Sequence, residues 1–178
     1  NRLRTLGGDA LSDTEIRRIH QTKQDGFAAL LANGVAPRPG IAATLAIARA
    51  AGLRIGFVTT TTPRTVAMIR AALAGHLDMS DFAVITSKED VVREKPDGEV
   101  YELALARLGI TPQEVVAIED TAASQAAATA AGVRCHLYTG AYAIAGDAPL
   151  QTRDPAAALR TDLAAMRNPD SLRLAATG

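Results

Sequence analysis

The stretch Arg54-Ile55-Gly56-Phe57-Val58-Thr59-Thr60-Thr61-Thr62-Pro63 decides the fold. Its apolar half, Ile55-Gly56-Phe57-Val58, is too short for a helix and suits a buried strand over 54–59. Pro63 has a fixed φ and no N–H, which the first turn of a helix tolerates, so a helix is expected over 63–74. A strand that runs straight into a helix is the first half of a parallel crossover, since parallel neighbours cannot be joined by a tight turn.

Downstream the alternation continues. Strands are expected at 82–86, 115–118 and 134–138. Helices are expected at 97–108, closed by Gly109, and at 121–131, closed by Gly132. Upstream, the Ala-rich run 41–51 reads as a helix closed by Gly52, and 154–166 reads as a last helix. This order implies an α/β fold, a three-layer parallel sheet with helices on both faces. Before it, residues 13–31 carry Ile16, Ile19, Phe27, Leu30 and Leu31 at roughly helical spacing, and Ser12 with Glu15 has capping-box form. Pro37-Arg38-Pro39-Gly40 breaks the chain between the two parts and reads as a hinge. The expected division is a helical segment over 1–39 and the α/β core over 40–178.

Composition narrows the function. The 178 residues, 48% hydrophobic, suffice for one buried core. Nineteen basic and nineteen acidic side chains cancel, so no basic face suggests a nucleic-acid partner. The single Cys135 excludes an intramolecular disulfide and fits a reducing compartment, and three scattered His give no zinc spacing. The start, Asn1-Arg2-Leu3-Arg4, is not followed by a signal-peptide core, and no membrane segment is seen. A cytoplasmic location is expected.

In open parallel sheets, ligands bind beyond the carboxyl ends of the strands, so the residues after each strand carry the chemistry. Thr59, Thr60, Thr61 and Thr62 offer hydroxyls and amides to an anion or, more simply, cap the next helix. Lys95, before Pro96, is either a surface lysine or a cation held at a helix mouth where it neutralises a phosphate. Glu119-Asp120 are adjacent carboxylates after a strand, suited either to Mg²⁺ or to capping through Asp120.

The ordered set, Thr after one strand, Lys-Pro before a helix and Ile-Glu-Asp-Thr after a later strand, resembles the haloacid dehalogenase-like hydrolase superfamily over about residues 40–140. Arg38-Pro39-Gly40, the threonine run, Lys95-Pro96 with Tyr101, Arg134-Cys135 and Gly140-Ala141-Tyr142 resemble its CbbY-type subfamily of sugar-bisphosphate phosphatases. The stretch Ile19-His20-Gln21-Thr22-Lys23 is similar to the last helix of that subfamily's cap.

The resemblance implies a Mg²⁺-dependent phosphatase that acts on a small sugar phosphate or bisphosphate through a phospho-aspartate. It implies Thr59 and the Thr60 amide as phosphate ligands, Lys95 as the neutralising cation, Asp120 as the metal ligand and Glu119 as a ligand or its supporting partner. Arg38, His20 and Lys23 are candidates for substrate contact. The family's Asp-x-Asp-Gly, which supplies the attacking aspartate from a central strand, has no counterpart, since no Asp-x-Asp occurs in the chain. Ser124 also stands where the family has Gly. The expectation is therefore a core that lacks its first central strand, with a partial helical cap, in an N-terminally incomplete chain. Two other activities are compatible: a phosphosugar mutase of the same superfamily, and a non-catalytic phosphate-binding module. A response-regulator receiver fits less well, because no Asp ends a strand ahead of the Thr.

Overall fold

Ser12 starts the first helix. Its hydroxyl accepts the Glu15 amide at 3.3 Å while the Glu15 carboxylate accepts the Ser12 amide at 2.8 Å, and Asp13 and Glu15 face the positive end of the helix. The computed structural model describes residues 11–140 and 151–167, with side chains to residue 165. The sequence readings at Asn1 to Arg4, at Ala141 and Tyr142, and after Pro169 lie outside these residues.

The elements follow the expected order. They are α1 (Asp13–Leu31), α2 (Ile41–Ala50), β1 (Gly56–Phe57), α3 (Pro63–Leu73), β2 (Val84–Ile85), α4 (Glu99–Leu108), β3 (Val116–Glu119), α5 (Ala122–Ala130), β4 (Arg134–Leu137) and α6 (Pro155–Arg167). Gly40 opens α2 with φ 82°, a conformation side chains resist, and a Cβ there would lie 3.2 Å from the Pro155 ring. Gly109 closes α4 in the left-handed region, as the sequence suggests.

The strands form two parallel pairs rather than one sheet. β1 pairs with β2 in the register Gly56↔Val84 and Phe57↔Ile85. β3 pairs with β4 from Val116↔Arg134 to Glu119↔Leu137. No ladder joins β1 to β3 among the described residues. Between them lies a cleft of about 550 Å³, lined by Phe57, Val58, Ala117, Ile118, Leu45 and Tyr101 among others. The parallel pairing within each pair is as expected from the sequence. The helix–strand alternation reports parallel strands, but it does not report which strands are neighbours. The expected lack of a central strand agrees with the cleft.

The core gathers on the β3–β4 side. Val100, Ala127 and Ala128 are fully buried, with Tyr101, Val133 and Cys135 beside them. The alanines of α5 let that helix approach β3 and β4 closely, and α4 packs on α5 and β2. Helix α6 packs against α2 and β3. It is anchored by Asp162, buried at 3% exposure, which meets His136 Nε2 at 2.6 Å and Arg134 Nε at 2.8 Å. No described helix is long and apolar enough to cross a membrane.

Candidate phosphate site at the strand ends

The carboxyl ends of β1 and β3 open on one pocket of about 570 Å³. Thr59, Thr60 and Thr61 enter from the β1 side, Glu119 and Asp120 from the β3 side, and Lys95 from the loop before α4. The structure therefore brings together Thr59, Thr60, Lys95, Glu119 and Asp120, and adds Arg38, Ser124 and Tyr138 to the walls.

The capping alternatives resolve locally. Helix α3 is capped by Thr62, whose hydroxyl accepts the Thr65 amide at 3.2 Å, so Thr59 and Thr60 have no capping role. Helix α5 is capped by Thr121, whose hydroxyl accepts the Ser124 amide at 3.2 Å. Asp120 is not that cap, and its carboxylate is exposed in the pocket wall. Ser124 is accommodated in the first turn of α5, where its hydroxyl accepts from Thr121 at 3.0 Å.

Thr59 is held by a residue that strand-end reasoning had not singled out. The Thr86 hydroxyl, fully buried, accepts the Thr59 amide at 2.8 Å and donates to the Thr59 carbonyl at 2.9 Å. This replaces the next rung of the β1–β2 ladder and fixes the backbone where the threonine loop begins. Its signal was available, because Thr86 is itself a hydroxyl residue at a strand end.

Lys95 is no surface lysine, with its side chain only 12% exposed. Its Nζ donates to the Val58 carbonyl at 3.0 Å and to Glu119 Oε1 at 2.5 Å. The lysine thus bridges the end of β1 to the end of β3 across the cleft. Glu119 Oε1 also accepts the Tyr101 hydroxyl. Burial, and then the Glu119 charge, push that hydroxyl far above its ordinary range, so it stays a proton donor. Burial first and the Glu119 charge second push the Cys135 thiol up to about 12, which excludes it as a nucleophile near neutral pH.

Arg38 closes the pocket on the hinge side. Its guanidinium stacks 3.8 Å over the Tyr138 ring and donates to the carbonyls of Tyr138 at 2.5 Å and Thr139 at 2.6 Å. The Tyr138 hydroxyl returns a bond to the Pro39 carbonyl at 2.9 Å. The segment that reads as a hinge is therefore latched to the end of β4. His20 and Lys23 are exposed on α1 and do not line this pocket; Lys23 lines a shallow depression with Arg18, Ile19 and Thr22.

The carboxylate inventory bears on a metal. Among the described residues no three of His, Cys, Asp and Glu cluster as a ready metal cage. Mg²⁺ asks for less: one or two carboxylates, with waters and substrate oxygens completing its shell. Asp120, exposed in the pocket and free of capping, fits that demand. Glu119 Oε1 already serves Lys95 and Tyr101.

Comparison with known proteins identifies the family. A family profile described as haloacid dehalogenase-like hydrolase matches residues 3–132. Protein CbbY of Cereibacter sphaeroides is 40% identical over 128 residues, 71% of this chain and 56% of that protein. The phosphorylated carbohydrates phosphatase of Thermotoga maritima is 31% identical over 118 residues, 66% of this chain and 51% of that protein. A crystal structure of a CbbY variant from Rhodobacter sphaeroides in complex with xylulose-(1,5)bisphosphate superposes with TM-score 0.69 and 36% identity, covering 82% of this chain and 66% of that one. The chain spans little more than half the length of the two curated relatives, 56% and 51%.

Proposed function

The chain belongs to the haloacid dehalogenase-like hydrolase family, and from that premise we propose that the whole protein is a Mg²⁺-dependent phosphatase acting on a small sugar phosphate or bisphosphate. The observation that carries the reading is the convergence of Thr59, Thr60, Lys95 and Asp120 on one pocket at the ends of β1 and β3. Phosphoryl transfer asks mainly for positioning and for charge stabilisation of the transferring group. The Thr59 hydroxyl and the Thr60 amide bind phosphoryl oxygens. Lys95 neutralises their charge from a position fixed by Val58 and Glu119. Asp120 would hold the metal, with Glu119 as the support that orients Lys95. The bound ion supplies Lewis-acid stabilisation of phosphoryl charge. Similarity to proteins named CbbY and phosphorylated carbohydrates phosphatase supports a phosphorylated sugar as the substrate class.

The attacking carboxylate is assigned to the cleft between β1 and β3. Both strands present an edge there, the walls are apolar, and the cleft runs toward the pocket. A strand pairing with both edges would satisfy their backbone groups and deliver its last residues beside Thr59, Lys95 and Asp120. An aspartate at that strand's end would attack phosphorus, forming the phospho-aspartate as the P–O bond to the sugar breaks and a neighbouring acid protonates the leaving oxygen. Water, deprotonated by the same group, would then cleave the phospho-aspartate to phosphate and free aspartate. Residues 1–39 then serve as part of a helical cap over the core of 40–178. Arg38 is the cap-side contact that the pocket retains.

The test is hydrolysis of a panel of sugar phosphates by the whole protein with Mg²⁺. Phosphate release that disappears in Asp120→Asn and Lys95→Ala is expected. Release unaffected by both variants overturns the reading.

A further inference from the structure

Glu119 Oε1 accepts two donors of different character. One is the Lys95 ammonium, which belongs to the pocket. The other is Tyr101, a residue of α4 at 5% exposure with its hydroxyl aimed at the carboxylate. We propose that Tyr101 is a positioning residue: its buried hydroxyl holds the Glu119 carboxylate, and through Glu119 it sets the Lys95 ammonium at the mouth of the phosphate pocket. The proposal rests on the phosphoryl reading of that pocket.

The argument is one of sharing. An ammonium has three donors. Lys95 spends one on the Val58 carbonyl and one on Glu119, leaving one for a ligand oxygen. A carboxylate that served Lys95 alone would pull the ammonium to itself and compete with an incoming anion. A second donor on the same oxygen draws off part of that negative charge. It also fixes where the oxygen sits, because Tyr101 is anchored in the core with Val100, Leu105, Ala127 and Cys135. The ring lies 5.2 Å from the Lys95 nitrogen, so its face adds a weak restraint on the same cation. A core tyrosine with no polar role would leave its hydroxyl a cost to bury; here the cost is offset by a charged acceptor.

The variant Tyr101→Phe keeps the ring and removes the hydroxyl. The test uses inorganic phosphate as the probe, titrated by calorimetry, with the Lys95 ζ-ammonium followed by ¹H–¹⁵N NMR and assigned by its loss in Lys95→Ala. In Tyr101→Phe the ammonium signal should shift or broaden without any ligand, and phosphate should bind about fivefold more weakly, the effect of one ordinary hydrogen bond felt through Glu119. In a Glu119→Ala background the same substitution should do nothing to phosphate affinity, whereas a role confined to packing gives equal losses in both backgrounds. A Lys95 signal unmoved by Tyr101→Phe overturns the proposal, as does an equal loss with Glu119 absent. Failure of the wild-type protein to bind phosphate overturns the phosphoryl reading instead, and the ammonium signal still decides on Tyr101.

Discussion

The ammonium of Lys95 lies 2.5 Å from the carboxylate of Glu119, and both side chains are only 12% exposed. The pair joins the loop before α4 to the last residue of β3. Through the Val58 carbonyl the same nitrogen also reaches the end of β1. One lysine therefore ties the two strand pairs together where the pocket opens. Removing it should cost phosphate affinity first. Lys95→Ala is expected to weaken binding of inorganic phosphate by about tenfold or more, since hydrogen bonds to charged groups contribute about 1.5–3 kcal/mol. Calorimetric titration of both proteins measures this, and equal affinities would remove Lys95 from the site.

Gly56 faces Val84 across β1 and β2, and a Cβ there would come within 2.7 Å of the valine Cγ1. Gly56→Ala should destabilise the fold by about 1–3 kcal/mol, the usual cost of overpacking. In a Val84→Ala background the loss should shrink, because the clash has been removed. Urea unfolding of the four proteins reads out the coupling; additive effects would count against the contact.

Asp162 is buried with His136 at 2.6 Å and Arg134 at 2.8 Å. Asp162→Ala leaves both without their acceptor and loosens α6 from β4. A loss of about 1–3 kcal/mol is expected by denaturant unfolding, because the buried His136 ring nitrogen loses its partner while Arg134, 43% exposed, can turn to water. A loss below about 1 kcal/mol would mean that α6 is held by its apolar contacts with α2 instead.

Asp90 responds to acid. The Arg107 guanidinium, and after it the Ser87 hydroxyl, hold its carboxyl below the usual range. The unfolded chain therefore takes up a proton at a pH where the native one has not. The stabilisation is complete above the ordinary aspartate value of about 3.9 and is lost as pH falls through the lower native value. Asp90→Asn should flatten that part of a stability–pH curve, and superimposable acid limbs would contradict the assignment.

Much of the fold was legible because local chemistry specified it. Ser12 with Glu15, Pro63 and Gly109 mark helix ends by capping, fixed φ and left-handed backbone, and each does so in the structure. Strand adjacency was less legible from local chemistry. Alternation along the chain says that strands are parallel, and adjacency is decided by tertiary packing across the cleft between Phe57 and Ala117. Of the pocket, Thr59, Lys95 and Asp120 could be named from their places at strand ends and helix mouths. The choice between cap and ligand could not be made there. It depended on which hydroxyl took the helix amides, and Thr62 and Thr121 did so. Thr86 could have been noticed as a hydroxyl residue at a strand end, but its partner, like that of the Tyr101 hydroxyl, is distant in sequence, at separations of 27 and 18 residues.

The central claim is that the pocket becomes catalytic when a strand in the cleft between β1 and β3 brings an attacking aspartate to it. The most direct measurement is Mg²⁺-dependent phosphate release from a panel of sugar phosphates, by the 178-residue chain and by a longer form in which a strand ending in Asp-x-Asp-Gly is joined ahead of residue 1. Among the described residues no ladder joins β1 to β3, and a strand that fills the cleft would add backbone hydrogen bonds to both edges, so the longer form should melt at a higher temperature. The account predicts turnover in the longer form and none at an enzymatic rate in the 178-residue chain. Robust Mg²⁺-dependent turnover by the 178-residue chain alone would contradict it, and would place the attacking group among the residues of the pocket itself.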